Sequence, residues 1–261
     1  MVEQITSKDN PRVREYVKLG SSRKYRQEKK AFVIEGGKLL EEAIRSGVDV
    51  LSIYVTDRWL DSEWARLLTG LERRTCWISD TVEQKLRQSQ TPQGVYAVCS
   101  MLDKPANPDT MDVNGTLLGL WSLQDPGNVG TMIRAADAMG VDGVVLSRDC
   151  CDLYNLKTLR AAMGSLFRMP VLVTDMAEFL TQYRGSVMSF AAVVTEGESL
   201  TEVAFPGRSM VVIGNEGNGL SAEQAALCDR RVTIPMRGNA ESLNAAMAAT
   251  ILLWEMAGKR E

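Results

Sequence analysis

The chain of 261 residues contains no histidine, and this absence excludes every kind of site that needs an imidazole. Ser-His-Asp triads, Cys-His pairs and His-ligated metal sites are therefore ruled out. The five cysteines are odd in number and form no Cys-x-x-Cys pair, so we expect reduced thiols and no metal centre. Any proton transfer must use carboxylates, lysine, tyrosine, cysteine or solvent.

The sequence also lacks an apolar run long enough to span a bilayer, and its first residues are polar, without a signal-peptide core. We therefore expect a cytoplasmic protein that does not enter membranes. Neither Gly-x-Gly-x-x-Gly after a first strand nor a Gly-Lys-Ser/Thr phosphate loop is present, so the usual dinucleotide and nucleotide-triphosphate sites fit poorly. The apolar fraction of 45% still supports well-formed cores.

Basic residues are concentrated near the start of the chain. Between Lys8 and Lys30 there are nine basic residues and three acidic ones, although the net charge of the whole chain is −3. Such a local excess can hold a polyanion even on an acidic protein. A solvated helix face explains the same composition, so both interpretations stay open at this point.

Periodicity predicts an α/β chain in two parts. In the first part helices and short strands alternate, and residues 103–115, which are rich in Pro, Asn and Asp, predict a linker. The domains are accordingly predicted at 1–102 and 116–261. The predicted helices of the first part are 11–19, 22–30, 38–45, about 62–69 and 81–87, and the predicted strands are 32–34, 50–55, 76–78 and 94–101.

In the second part, continuous apolar strands alternate with helices, a pattern typical of a parallel sheet covered on both faces. The predicted strands are 117–123, 144–147, 171–174, 190–195, 210–214 and 232–234. The predicted helices lie near 128–139, 157–166, 176–184, 221–228 and 243–258.

Three polar, glycine-containing blocks follow strands of the second part, at 123–137, 211–221 and 231–254. In the third block Ser242 stands at the expected N-cap of a helix that starts at Leu243. In the first block a helix is expected to begin near Asn128, with Arg134 on its second turn. Because the carboxyl ends of parallel strands share one edge, the three blocks predict one composite pocket for a polar ligand.

Together the blocks resemble the three motifs of the SpoU/TrmH-like RNA 2′-O-ribose methyltransferases, of the SPOUT class. The opening of the chain, residues 5–36, resembles the N-terminal RNA-binding domain of that family, so the resemblance spans nearly the whole sequence. Residues 164–171 are similar to the connecting segment of the family, although Ala162 stands where a serine is common. The motif residues that agree in order and separation are Asn128, Arg134, Glu216, Ser242 and Asn244.

The resemblance implies a C-terminal SPOUT-type parallel sheet with a deep trefoil knot, plus a smaller N-terminal α/β RNA-binding domain. It further implies S-adenosylmethionine as the methyl donor, no metal, and a homodimer formed through the C-terminal domain. The implied donor-binding residues are Gly214, Asn215, Gly217, Gly219, Ile234, Met236, Ser242, Leu243 and Asn244. The implied RNA-binding residues are Arg12, Arg23, Lys24, Arg26, Lys29 and Lys30.

The implied reaction is methyl transfer to a ribose 2′-hydroxyl, with ribosomal RNA favoured because a separate N-terminal domain of this kind is often attached to ribosomal enzymes. Transfer RNA as substrate, or a non-catalytic RNA-binding or assembly protein that keeps the fold, are the alternatives.

The resemblance makes Arg134, Asn128 and Glu216 catalytic, with Arg134 often assigned as the base. Since arginine has a pKa above about 12, we favour the hypothesis that Arg134 binds the adjacent phosphate and orients the hydroxyl. Glu216 would orient Arg134 or accept the proton. Asn128 and Asn244 would hold ribose or backbone.

Overall fold

The computed structural model describes residues 3–102 and 115–258, apart from the side chain of residue 60. The chain forms two compact units. Unit one contains the described residues up to 102 together with 154–167, and unit two contains 115–153 and 168–258. Of the predicted linker 103–115, residues 103–114 lie outside the described residues. Within the described residues, no helix is long and apolar enough to cross a membrane.

Unit one is built on a mixed sheet with the strand order β1-β4-β3-β5-β2. Its strands are β1 (Glu3–Ile5), β2 (Ala31–Glu35), β3 (Val50–Val55), β4 (Thr75–Ile78) and β5 (Val95–Ser100). Strand β5 runs antiparallel to β2 and β3, whereas β4 pairs with β1 and β3 in parallel. The helices before 102 are α1 (Pro11–Ser21), α2 (Arg23–Lys29), α3 (Gly37–Arg45), α4 (Asp57–Leu60) and α5 (Asp80–Leu86), with short 3₁₀ helices at Glu63–Leu68 and Glu72–Arg74.

Helix α1 begins where the sequence supplies both a cap and a stiff first residue. The side chain of Asn10 accepts a hydrogen bond from the backbone N–H of Arg12, and Pro11 occupies the first helical position. The helix buries Val13, Tyr16 and Leu19, which lie on one face. The Tyr16 hydroxyl donates to the carbonyl of Ile34 at 3.1 Å, so this buried polar group is satisfied.

A segment from the middle of the sequence completes the core of unit one. Helix α7 (Leu156–Ala162) places Leu156 in the same apolar cluster as Leu19 and Val33. The ring of Tyr154 lies 4.8 Å from that of Phe32. Residues 154–167 therefore pack with the N-terminal sheet, although the sequence continues from α7 into unit two.

Unit two is built on a parallel sheet with the strand order β10-β12-β9-β11-β6-β7-β8. Every pair between neighbouring strands in this sheet is parallel. The strands are β6 (Leu117–Leu120), β7 (Gly143–Ser147), β8 (Val171–Thr174), β9 (Met188–Ala192), β10 (Glu198–Ser199), β11 (Ser209–Ile213) and β12 (Arg230–Thr233). The helices are α6 (Pro126–Ala138), α8 (Ser165–Arg168, shared with unit one), α9 (Met176–Gln182), α10 (Ala222–Leu227) and α11 (Ala245–Gly258).

The predicted α/β architecture with a parallel sheet in the second part is confirmed, and most elements lie within a few residues of their predicted bounds. Strands β1 and β10 were not predicted, since two or three residues are too few for a periodic signal. The helix predicted at 157–166 is in fact two helices. Met163 and Gly164 both have positive φ, 49° and 90°, which ends α7 before α8 begins.

Candidate functional site

The second and third polar blocks line one cavity of about 410 Å³ at the carboxyl edge of the parallel sheet. We call it the main cavity. The first block contributes no lining residue and is joined to the other two by hydrogen bonds, so the prediction of one pocket lined by all three blocks is wrong in that part. Eight of the nine predicted donor-binding residues line the main cavity, and the ninth, Asn244, does not. The eight are Gly214, Asn215, Gly217, Gly219, Ile234, Met236, Ser242 and Leu243.

The loop after β11 is closed on itself by backbone hydrogen bonds. The N–H of Asn215 donates to the carbonyl of Gly219 at 3.1 Å, and the N–H of Gly219 donates back at 2.8 Å. A Cβ at Gly214 would come within 2.3 Å of the Gly219 carbonyl carbon, so only glycine fits there. Gly219 has a positive φ of 65°, a conformation that also favours glycine. Gly214 and Gly219 therefore let the backbone of this loop turn tightly beside the cavity.

Glu216, at the tip of this loop, ties it to the start of α6. Its carboxylate accepts hydrogen bonds from the backbone N–H groups of Gln124 and Asp125, at 3.0 and 2.9 Å, and from the Asn128 amide at 3.3 Å. Partial burial raises the pKa of Glu216, but these hydrogen bonds outweigh it and leave the pKa lower than its ordinary value. The group is thus a weak base held at a helix start.

Asn128 and Asn244 continue this chain of hydrogen bonds to the third block. The Asn244 amide donates to the side-chain oxygen of Asn128 at 3.2 Å. The Asn244 oxygen in turn accepts from the N–H groups of Ala246 and Met247, at 2.9 and 3.3 Å. Asn244, not Ser242, therefore caps α11, and the predicted N-cap at Ser242 is wrong. The cap lies two residues later because the turn from Ile234 keeps its irregular backbone as far as Asn244.

Arg134 lies outside the main cavity of its own chain. It is the ninth residue of α6, which begins at Pro126 with Asp125 as its N-cap, so the predicted start at Asn128 and the predicted second turn are both wrong. Its side chain is exposed and makes no hydrogen bond or ion pair within the described residues. Within one chain Glu216 does not orient Arg134, because the Glu216 carboxylate is held by the start of α6.

Part of the lining was missed by the sequence reasoning. The loop after β9 contributes residues 193–196, and the inner face of α11 contributes Ala248 and Leu252. These residues carry no motif, and only the adjacency of β9 and β11 in the sheet could have indicated the loop. The charged residues of the lining are three acidic ones and one basic one, so their net charge is negative. They are Glu196, Glu216, Glu241 and Arg231.

The basic segment divides into exposed and occupied side chains. Arg26 is buried, with 3% of its surface exposed, and its guanidinium donates to the carbonyl of Leu19. Its predicted contact with RNA is therefore wrong, since a charge enclosed in the fold cannot reach a phosphate. Arg12 forms an ion pair with Glu3 at 2.8 Å. Among the predicted RNA-binding residues, Arg23, Lys24, Lys29 and Lys30 are exposed and form no ion pair within the described part of the chain.

Sequence comparison places this geometry in a known context. Residues 115–254 match the SpoU rRNA Methylase family, and residues 10–97 match an MRM3-like substrate binding domain. The chain belongs to the SpoU rRNA methylase family. The predicted resemblance is thereby confirmed, and the enzyme class, RNA 2′-O-methyltransferase, is that of its close relatives.

Individual relatives extend over the full chain. The 23S rRNA (guanosine(2553)-2′-O)-methyltransferase RlmP of Bacillus subtilis is 34% identical over 98% of this chain and 100% of its own length. The SpoU methyltransferase AviRb of Streptomyces viridochromogenes, solved in complex with AdoMet, has a TM-score of 0.84, with 28% identity over 96% of this chain and 98% of its own. A structure that concerns 2-OH methylation of C/U34 on tRNA has a TM-score of 0.52 and 28% identity, and it covers 56% of this chain and 97% of its own.

Proposed function

We propose that this chain transfers the methyl group of S-adenosylmethionine to a ribose 2′-hydroxyl in ribosomal RNA. The observation that carries the proposal is the main cavity, whose loops at 214–219 and 234–243 are tied to the start of α6 by hydrogen bonds among Glu216, Asn128 and Asn244. A fixed set of loops suits a reaction in which alignment of the reactants is the main requirement.

The lining of the main cavity fits this donor. The side chains of Val232, Ala248 and Leu252 offer an apolar surface for an aromatic base. The excess of carboxylates favours a cationic ligand over the phosphates of a dinucleotide. When bound, S-adenosylmethionine supplies a methyl group on a sulfonium, a leaving group that needs no further activation. The backbone groups of 214–219 and 234–243 are proposed to hold it.

Arg134 is proposed to bind the RNA phosphate next to the target ribose. Its guanidinium is exposed and has no partner within the described residues, so it is available for a bidentate contact. In this role it orients the 2′-hydroxyl rather than removing its proton. Glu216 and Asn128 become positioning residues, since their side chains hold the loops.

The proton of the 2′-hydroxyl is proposed to leave to solvent or to a phosphate oxygen. Glu216 is a poor acceptor for this proton, because its three hydrogen bonds stabilise the ionised carboxylate and lower its pKa. No other titratable side chain of the described residues is assigned to this step.

We further propose that the enzyme is a homodimer through α11. This helix is apolar around its whole circumference, a pattern typical of a helix that is covered on all sides. In the single chain, however, Met247, Ile251 and Trp254 remain 59%, 38% and 64% exposed, at the spacing of one helix face. Helix α11 packs against α6, which also bears Arg134. A second copy of the chain is the proposed occupant of this face.

The remaining proposals concern threading, domain roles and location. The deep trefoil knot implied by the family is supported by α11, which follows β12, the neighbour of the edge strand β10, yet packs against α6 and the central β11. An experimental density map traced through 230–258 tests the threading.

Residues 1–102 are proposed to choose the RNA, and 116–261 to carry the reaction. A cytoplasmic location is supported by five free cysteines.

Ribosomal RNA is preferred over transfer RNA because of what the relatives cover. The rRNA enzyme RlmP matches both parts of this chain, whereas the tRNA-related structure covers 56% of it. A protein with the additional RNA-binding part is better suited to a large folded RNA than the methylase part alone. This preference rests on the relatives.

The proposal is tested by incubating the purified protein with labelled S-adenosylmethionine and unmodified 23S rRNA or bulk tRNA transcripts. We expect methyl incorporation into the rRNA, located at one ribose by mass mapping, and incorporation lowered by about 10²-fold or more with Arg134→Ala. Methylation of tRNA alone would support the alternative substrate. Binding of the donor, measured by calorimetry, without transfer to either RNA would support a non-catalytic protein instead.

A further inference from the structure

Unit two contains a second cleft that the proposed reaction does not use. It has a volume of about 290 Å³, near the lower end for a small-molecule pocket, which is about 300 Å³. It opens at the carboxyl ends of β6, β7 and β8. We call it the second cleft, and its lining residues are Trp121, Ser147, Arg148, Asp149, Asp175, Met176 and Ala177.

Trp121 gives the second cleft a flat aromatic wall. It directly follows β6, and its backbone N–H donates to the carbonyl of Ile213 at 2.8 Å, which fixes the start of its side chain against the sheet. The ring is half-buried and packs against the apolar core of unit two. A tryptophan that is anchored on one side and open on the other is suited to stacking on a planar ligand.

Arg148 and Asp149 add a donor and an acceptor to this wall. The Arg148 side chain is exposed and has no ion pair within the described residues. The Asp149 carboxylate accepts hydrogen bonds from the hydroxyls of Ser122 and Ser147. Burial raises the pKa of Asp149, but the hydrogen bonds have the larger effect and leave the pKa below its ordinary value. The carboxyl group is therefore ionised at neutral pH. Its position is set by two serines, and it retains capacity for further donors.

Hydrogen bonds of Gln124 connect the second cleft to the rim of the main cavity. The Gln124 amide donates to the carbonyls of Ser122 and Asp149, at 3.1 and 2.9 Å, while its backbone N–H donates to Glu216 at 3.0 Å. Ser122 has a positive φ of 59°, an unfavourable conformation for a residue with a Cβ. The fold therefore maintains a strained, hydrogen-bonded link between the two concave sites.

We propose that the second cleft holds one unpaired nucleobase of the RNA substrate, close along the strand to the ribose that is methylated. The base stacks on Trp121, Arg148 donates to acceptors on its edge, and Asp149 accepts from an amino group. Single-stranded RNA is recognised by this combination of stacking and edge contacts. The inference rests on the proposed function and adds a site that selects the RNA.

The test measures the KM for 23S rRNA transcript and the affinity for S-adenosylmethionine in four variants. We expect Trp121→Leu and Arg148→Ala each to raise the KM for RNA about tenfold, with donor affinity unchanged. Trp121→Phe, which keeps an aromatic face, should stay close to the wild type. Arg208→Ala is the matched control, because Arg208 is also exposed but lies at the amino end of β11, on the opposite edge of the sheet.

Ultraviolet crosslinking of the same complex, followed by peptide mapping, gives a readout that a purely structural role of Trp121 would not produce. We expect crosslinks in the peptides that contain Trp121 or Arg148. If the wild type methylates RNA, Arg148→Ala has an unchanged KM and the crosslinks lie elsewhere, the inference fails while the proposed function stands. If the wild type transfers no methyl group to any RNA, the proposed function fails and the inference fails with it.

Discussion

The loops of the main cavity and the helices α1 and α2 both offer polar groups to a ligand, but they hold them by different means. Beside the cavity, Glu216, Asn128 and Asn244 bind each other and neighbouring backbone, so the geometry of the loops is fixed before any ligand arrives. On α2 the exposed cations Arg23, Lys24 and Lys29 form no ion pair within the described residues. The first region is suited to precise alignment, and the second to an attraction that depends on charge.

The difference also decides how well each region could be predicted. The positions of these loops could be predicted, because the sequence shows where glycines follow apolar strands. A charged surface depends on which side chains face solvent, and that depends on the packing of the whole unit.

The largest effect is expected from separating the two parts of the chain. A fragment of residues 115–261 keeps α7 but loses the cluster of unit one in which Leu156 is 1% exposed. We expect it to aggregate or to show no cooperative thermal transition, because exposed core residues are a liability. In the full chain, Leu156→Ala should lower the free energy of unfolding by about 2–5 kcal/mol. A fragment that melts cooperatively and binds S-adenosylmethionine would show that unit two folds without this contact.

Arg134 should have the next largest effect, because it is the one motif side chain proposed to touch RNA. Arg134→Ala should lower kcat/KM for RNA methylation by about 10²-fold or more, since a charged contact near the reacting group is lost. Donor affinity, measured by calorimetry, should not change, as Arg134 lies outside the main cavity. Arg134→Lys keeps the positive charge but removes the two parallel N–H donors of the guanidinium, so it separates the two contributions. If it retains nearly all turnover, the bidentate contact with phosphate is not needed.

Much of unit two could be predicted from the sequence for a specific reason. Continuous apolar strands that alternate with helices predict a parallel sheet. In such a sheet the carboxyl ends of all strands lie at one edge. Three glycine-containing blocks after such strands therefore had to meet. That eight of nine chosen residues line one cavity follows from topology more than from the individual side chains.

The roles of individual side chains could not be predicted in the same way. Glu216 and Arg134 are motif residues in adjacent blocks, and opposite charges suggest an ion pair, yet the backbone N–H groups at the start of α6 hold the carboxylate. Likewise, Arg26 lies among exposed cations in the sequence but points into the fold. Both errors have one cause: local sequence does not record which backbone groups need a partner.

Glu216 tests the fixed geometry of the cavity. Glu216→Gln keeps one acceptor but leaves a backbone N–H of Gln124 or Asp125 without its charged partner. We expect donor affinity to fall about fivefold, which corresponds to about 1 kcal/mol, a modest value because the side chain is exposed. Calorimetry measures it, with Glu223→Gln as the control, since Glu223 is an exposed glutamate on α10 with no contact to α6.

The lowered pKa of Glu216 adds a pH dependence with a definite sign. A carboxyl group whose pKa is depressed in the folded protein stabilises it fully above its ordinary value of 4.5, and that contribution is lost as pH falls towards the folded pKa. The free energy of unfolding of the wild type, measured by urea denaturation, should therefore fall as pH is lowered from 4.5 towards the folded pKa. Glu216→Gln should lack this component. An equal loss in both proteins would assign the acid sensitivity to other groups.

The smallest effect is expected on the charged surface of unit one. Replacing Arg23, Lys24 and Lys29 with glutamine removes three exposed cations, so the slope of log affinity for RNA against log salt should become shallower by about 2. Filter binding across a salt series measures this slope. The matched control replaces Arg45, Arg66 and Arg73, three exposed arginines elsewhere in unit one, two of which pair with Glu41. Equal slopes in the two triple variants would mean that α2 is a solvated helix face rather than an RNA contact.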